Sequence, residues 1–228
     1  MTPALASQKP LSPERKARRR ARRRAQKVRA QGILHGVAAM LTPRDVVLDC
    51  GANVGLITQT LAQTGAQVHA FEPDTAAFEE LSARMVSASN VTLYNAAVGT
   101  KAGRAPLHRA AGFAADPIRL STRSSLLQTG EDMEKLPSKQ DVEVVDLPAF
   151  LRQLCHRYGD VALLKLDVEG SELELLESLH SQELLAQIRL TVAETHEGKF
   201  RHLRPRYRAL RKDLADCYPP TKVYLEWT

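Results

Sequence analysis

The sequence predicts an α/β fold: a mostly parallel, doubly wound sheet of about seven strands, with helices on both faces and an antiparallel edge strand. Three observations carry that prediction. From Ile33 onward, short apolar runs alternate with segments of helical spacing, the pattern of a parallel sheet wound with helices. Several of the runs are apolar throughout, as strands covered on both faces are. The 228 residues are 43% apolar and 25% charged, an ordinary globular balance that needs neither disulfides nor a structural metal to make a core.

Each element has a local reason. Val46-Val47-Leu48-Asp49-Cys50 is a buried strand ended by Gly51. Leu56, Ile57, Thr60 and Leu61 recur at helical spacing until Gly65 stops the helix. Val68–Phe71 is the second strand, closed by Glu72-Pro73, and Asp74 caps a helix carried by Phe78, Leu81 and Met85 as far as Asn90. Val91–Tyr94 is the third strand. The stretch 99–140 is rich in Gly, Ser, Thr and Arg and reads as a loop with a short strand. Val142–Val145 is a strand, and Asp146 with Pro148 opens a helix through Cys155. Val161–Leu166 is the next buried strand, followed by a helix from Ser171, with Ser171 and Glu174 spaced as a capping box. Ile188–Ala193 (strand), Arg204–Leu214 (helix) and Lys222–Trp227 (strand) complete the order, and the last helix–strand pair suggests the antiparallel edge.

The net charge of +6 is unevenly placed. Residues 1–32 hold 11 Lys/Arg and only Glu14, so the rest of the chain is net acidic. This segment, centred on Arg15–Arg24, is expected to be a basic N-terminal arm, disordered or a frayed helix, ahead of a domain spanning 33–228. Its arginines would surround a helix axis, so it makes no amphipathic membrane face. It offers an electrostatic contact to a polyanion, although a solubilising tail is the favoured account, since a charge run by itself is usually solvated. The three cysteines are scattered without a CxxC pair, and no apolar run approaches the ~18 residues of a membrane span. The basic start has no apolar h-region behind it, so a secretory signal is not expected, and a reducing, cytoplasmic setting fits best.

In open α/β sheets, ligands bind beyond the carboxyl ends of the strands. The first such turn is Asp49-Cys50-Gly51-Ala52-Asn53-Val54-Gly55. A dinucleotide would want G-x-G-x-x-G, but Asn53 and Leu56 stand where the second and third glycines belong, and no P-loop lysine is present. A smaller nucleoside ligand with a carboxylate fits better, and S-adenosylmethionine is such a ligand. Glu72, 23 residues after Asp49, can accept hydrogen bonds from both ribose hydroxyls. Asp49 can meet the methionyl ammonium, directly or through water. Asn95 and Ala96, after the third strand, either contact the adenine or, for Asn95, serve the turn alone.

Val47–Gly55, Ala70-Phe71-Glu72-Pro73 and Asn95-Ala96-Ala97-Val98-Gly99 resemble, in order, motifs of the FkbM-type methyltransferases. Leu164-Lys165-Leu166-Asp167-Val168-Glu169-Gly170-Ser171-Glu172 is similar to that family's lysine–aspartate–glutamate–glycine signature, and Ser124-Ser125-Leu126 and Ala193-Glu194-Thr195-His196 also match. The resemblance covers about residues 42–200 and leaves the arm outside. It implies a class I (Rossmann-like) S-adenosylmethionine-dependent methyltransferase fold acting on oxygen of a small molecule or glycan. Asp49, Gly51, Asn53, Gly55, Glu72, Asn95 and Ala96 are the expected cofactor residues.

Methyl transfer from a sulfonium is an in-line displacement, so the protein aligns the acceptor and disposes of its proton. Asp167, Glu169 and His196 are the expected catalytic residues, and at least one of Asp167 and His196 assists deprotonation: His196 as a base of near-neutral reference pKa, or Asp167 as base or acceptor-orienting carboxylate. Glu172 and Glu194 lie on the same loops. The carboxylates suit Mg²⁺, but they show no fixed ligand spacing, so no metal is expected. Arg119, Arg123 and Lys139 either bind an anionic acceptor or are simply solvated at the surface. Two other readings are a nucleic-acid methyltransferase that holds RNA or DNA with the arm, and a non-catalytic S-adenosylmethionine-binding module. The acidic body argues against the first, and intact Asp49, Gly51, Gly55 and Glu72 against the second.

Overall fold

The computed structural model describes residues 12–109, 125–126 and 139–227. In chain order the elements are α1 (Pro13–Met40), β1 (Val46–Cys50), α2 (Leu56–Ala62), β2 (Gln67–Phe71), α3 (Thr75–Arg84), β3 (Val91–Tyr94), β4 (Ala96–Gly99) and β5 (Gly103–His108). They continue with β6 (Lys139–Asp146), α4 (Leu147–Tyr158), β7 (Val161–Leu166), α5 (Glu172–Ser181), β8 (Ile188–Ala193), α6 (Arg204–Cys217) and β9 (Val223–Tyr224). Arg119 and Arg123 fall outside the described residues. Lys139 opens β6, and its side chain is not among those described.

The main sheet has the order β3-β2-β1-β7-β8-β9, and every neighbouring pair is parallel. Along β1, Val46, Leu48 and Cys50 face a core made with α4, α5 and α6, while Val47 faces one made with α1 and α2. The α/β class is therefore as expected, with helices on both faces.

Two details differ. The main sheet has six strands, and β9 runs parallel to β8. The 14-residue α6 crosses back over the sheet, the kind of crossover that lets the chain re-enter it in the same direction. The antiparallel pairing lies elsewhere, between β5 and β6 of a second sheet ordered β4-β6-β5. Only Asn95 separates β3 from β4, too little chain for a crossover, so β4 leaves the main sheet and pairs in parallel with β6.

Local signals fare unevenly. Asp74 and Asp146 cap α3 and α4 as expected, accepting from the N–H groups of Ala76 and Ala149. Ser171 makes no side-chain cap, and Glu174 is exposed. Glu172 takes over there, accepting from the N–H groups of Val168 and Gly170, both at 2.9 Å.

The expected break at residue 32 is not a break in secondary structure, since α1 runs unbroken from Pro13 to Met40. Arginine and alanine are good helix formers, and apolar residues appear at helical spacing from Ala30 onward. Ala30 and Leu34 are buried against Val47, Val68, Leu163 and Trp227, with Ile33 and Val37 alongside. Docking thus begins at about Ala30. Deleting residues 1–26 is expected to leave the melting temperature within about 2 °C, whereas deleting 1–40 strips a buried leucine and its neighbours and should cost about 2–5 kcal/mol. The single tryptophan, Trp227, reports on this, because its emission should shift to the red only in the longer deletion. A 1–40 deletion that melts with the full-length chain would show that α1 is no part of the core.

Among the described residues, no helix is long and apolar enough to cross a membrane. Cys50 and Cys155 are buried free thiols, and Cys217 is an exposed one.

Candidate active site

The turn after β1 is shaped by three residues in the left-handed region: Gly51 (φ 79°), Asn53 (φ 51°) and Gly55 (φ 83°). The N–H groups of Gly51 and Ala52 both donate to the Phe71 carbonyl, tying the turn to the end of β2. A Cβ on Gly51 would lie 1.7 Å from the Asp167 carbonyl oxygen, so the turn touches the backbone of the segment after β7. Gly55 has a packing role, because a Cβ there would meet Leu81 at 2.6 Å.

Beneath this turn lies a buried ion pair. Lys165 Nζ is 2.9 Å from Asp49 Oδ1, and both side chains are almost wholly enclosed. Asp49 also accepts from Thr58 Oγ1 at 2.7 Å, and Lys165 donates to the Gly51 carbonyl at 2.7 Å. Burial alone would lower the pKa of the ammonium; the Asp49 and Asp167 charges outweigh it and push the pKa up to about 12. Asp49 was expected to meet a ligand's ammonium. It is instead sealed under the turn as the partner of Lys165, and does not line the cavity. A lysine inside Val161–Leu166 signals a buried charge in need of a partner, and Asp49 is that partner.

Above the turn is a cavity lined by Gly51, Asn53, Glu72 and Ala96, with apolar walls from Phe71, Pro73, Ala97, Val98, Leu107 and Leu126 and an acidic end at Asp167 and Glu169. Glu72 is buried, and its two oxygens accept from the N–H groups of Asn53 (2.9 Å) and Asp74 (2.8 Å). Burial pushes its carboxyl up to about 7 against the pull of those two bonds. Asn95 does not line the cavity: its amide donates to the Glu72 carbonyl at 2.9 Å and to the Pro73 carbonyl at 3.3 Å, bracing the end of β2 where β4 departs.

At the acidic end, loops after β7 and β8 bring Asp167, Glu169, Glu172, Glu194 and His196 together. His196 Nδ1 is 2.9 Å from Glu172 Oε1, and its Nε2 lies 3.3 Å from Glu169 Oε2 and 4.0 Å from Glu194 Oε1. Burial disfavours a charged ring, but the hydrogen bonds to Glu169 and Glu172 overcome it and raise the histidine to about 11. So paired, His196 holds a proton more firmly than a free imidazole does, which counts against a role as base. Glu194 is the neighbouring carboxylate. Burial, then the Asp167 charge, raises it to about 7, and burial raises Asp167 as well despite Lys165 nearby. Glu194 also lines a second cleft, shared with Arg22 and Gln26 of α1 and with Arg204, Arg211 and Trp227.

The sequence pattern described as the methyltransferase FkbM domain matches residues 49–217, three quarters of the chain. The chain belongs to the FkbM methyltransferase family. The match starts at Asp49 and spans the turn, the cavity and the acidic cluster, with α1 lying before it. Similar FkbM-family proteins include the 31-O-demethyl-FK506 methyltransferase FkbM of Streptomyces tacrolimicus, 30% identical over 192 residues, or 72% of this chain and 69% of that one. Methyltransferase sdnD of Sordaria araneosa is 27% identical over 213 residues, 83% of this chain and 79% of its own. A local match of 46% identity over 56 residues joins the chain to ribosomal RNA small subunit methyltransferase A of Thermotoga maritima, covering 25% of this chain and 20% of that protein.

Proposed function

We propose that this FkbM-family protein transfers a methyl group from S-adenosylmethionine to an oxygen of a small molecule or glycan. The observation that carries the reading is Glu72: a buried carboxylate at the end of β2, on the rim of a cavity whose walls are apolar and whose floor is a glycine turn. A nucleoside fits that chemistry. Glu72 takes the ribose hydroxyls, Phe71, Ala96 and Ala97 flank the adenine, and the bare backbone of Gly51 admits the chain that leads toward Asp167. When bound, S-adenosylmethionine supplies an electrophilic methyl group on a sulfonium.

The chain's own residues do the rest. Asp167 and Glu169 mark the end of the cavity where an acceptor meets the methyl, and Glu194 stands beside them on the wall of the second cleft. As the acceptor oxygen bonds to the methyl carbon and the sulfur–carbon bond breaks, the hydroxyl proton passes to Glu194. A carboxylate raised to about 7 is matched to that task near neutral pH.

Calorimetry with S-adenosylmethionine or its demethylated product tests the reading. Glu72→Ala is expected to weaken binding by about 1.5–3 kcal/mol, roughly 10- to 150-fold, while Glu72→Gln keeps part of it. Affinity should also depend on pH. Ribose hydroxyls donate to the charged form, whereas burial holds the free carboxyl at about 7. Binding therefore weakens as pH falls through that value, approaching about tenfold per unit, and releases a proton near neutrality. No binding by the wild type, or preference for a dinucleotide, sinks the proposal.

A nucleic-acid acceptor is the second reading, favoured by the local likeness to the ribosomal RNA methyltransferase and by the arginines of α1. It requires steeply salt-dependent binding to RNA that the 1–26 deletion abolishes.

A further inference from the structure

Three side chains of ligand type converge beside the cavity from two loops: Asp167 directly after β7, Glu169 two residues on, and His196 after β8. One donor atom from each lies within 4.8 Å of the other two, near enough for a single ion to touch all three. The imidazole is already oriented as a metal ligand is. Glu172 sits behind its Nδ1 at 2.9 Å, fully buried and fastened by the N–H groups of Val168 and Gly170. A carboxylate behind one ring nitrogen orients the ring, and an ion on the other nitrogen takes the place of its proton. That other nitrogen, Nε2, faces Glu169 at 3.3 Å.

Charge balance points the same way. Asp167, Glu169, Glu172 and Glu194 are gathered around His196 and Lys199, the lysine standing 3.1 Å from Glu169. Lys165 is 3.9 Å from Asp167 but closer, at 2.9 Å, to Asp49. The cluster thus holds more negative than positive charge, and a dication offsets the excess.

We infer that Asp167, Glu169 and His196 bind one divalent cation of the Mg²⁺/Mn²⁺ class at the acidic end of the cavity. Two carboxylates and one imidazole make an oxygen-rich set with a single nitrogen, which suits Mn²⁺ and Mg²⁺ and offers no thiolate to a softer ion. Three protein ligands leave coordination positions for water and for an acceptor oxygen. A hydroxyl on such an ion gives up its proton more readily, to Glu194 alongside. That role rests on the proposed methyl transfer; the binding of the ion does not.

The test is Mn²⁺ titration of the chelator-stripped, full-length protein, followed by electron paramagnetic resonance of the free ion, with and without S-adenosylhomocysteine. The wild type is expected to bind a single Mn²⁺ per chain. Glu169→Gln and His196→Gln should each weaken it at least about tenfold, and Glu172→Gln, which acts through the ring, by about 10- to 100-fold. Glu72→Ala should hold Mn²⁺ like the wild type while losing the nucleoside, so a failed metal site and a failed cofactor site give different results. Glu169 also pairs with His196 and Lys199, so its amide variant is compared with the wild type for melting without Mn²⁺ as well, and a loss of Mn²⁺ affinity in a variant that remains folded reports on the ion. A wild type that takes up no Mn²⁺ under either condition overturns the inference. So does an affinity that Glu169→Gln and His196→Gln both leave unchanged.

Discussion

Gly51→Ala is expected to destabilise the protein by about 3–5 kcal/mol and to abolish nucleoside binding. The added methyl would sit 1.7 Å from the Asp167 carbonyl oxygen, a contact with backbone that no rotamer relieves. The residue is also held at φ 79°, which costs any L side chain further. To make room, the turn after β1 must part from the segment after β7, and that opens the floor of the cavity. For a domain of this size the melting temperature should drop by about 10 °C. Gly103→Ala is the control, because nothing lies within 4 Å of a Cβ there, and it should melt with the wild type. Equal melting of both variants would show that the turn and the strand end are not in contact.

Lys165→Met should be comparably severe, about 3–5 kcal/mol, for an electrostatic reason. The substitution leaves the Asp49 carboxylate enclosed with Thr58 as its remaining side-chain donor. Adding Asp49→Asn to Lys165→Met removes the stranded charge while keeping an oxygen for Thr58 to bond. The double variant is therefore expected to regain at least about 1 kcal/mol. A double variant no more stable than Lys165→Met alone would mean that the pair does not brace the turn.

The sequence disclosed what depends on local pattern. The apolar runs at Val46, Val68 and Val161 are strands, the capping aspartates 74 and 146 start helices, and Glu72 stands at a strand end beside the glycine turn. What it hid depends on partners distant in the chain. Asp49 reads as a ligand-facing carboxylate until β7 places Lys165 against it. His196 reads as a base because the spacing of Glu169 and Glu172 along the chain does not say that both carboxylates close on its ring. The docking of α1 was masked by charge density, since eleven basic residues draw attention away from Ala30 and Leu34. The departure of β4 into its own sheet follows from a single-residue connection at Asn95, a tertiary fact with no periodicity to betray it.

The neighbours of β1 are β2, which follows it closely, and β7, which arrives only after the second sheet has been made. A nascent chain with β1, β2 and β3 already outside the ribosome has its glycine turn and its ribose carboxylate but neither Lys165 to support them nor Asp167 to close them. Until residue 166 emerges, the β7-facing edge of β1, Val47–Cys50, has backbone groups with no strand to pair them, and Asp49 has no counter-ion. Such an intermediate exposes a sticky edge while about half of the 228 residues are made and gains its main stabilising contacts late. Pulse-labelled hydrogen exchange on stalled chains should find β1 unprotected up to that length and protected soon after it.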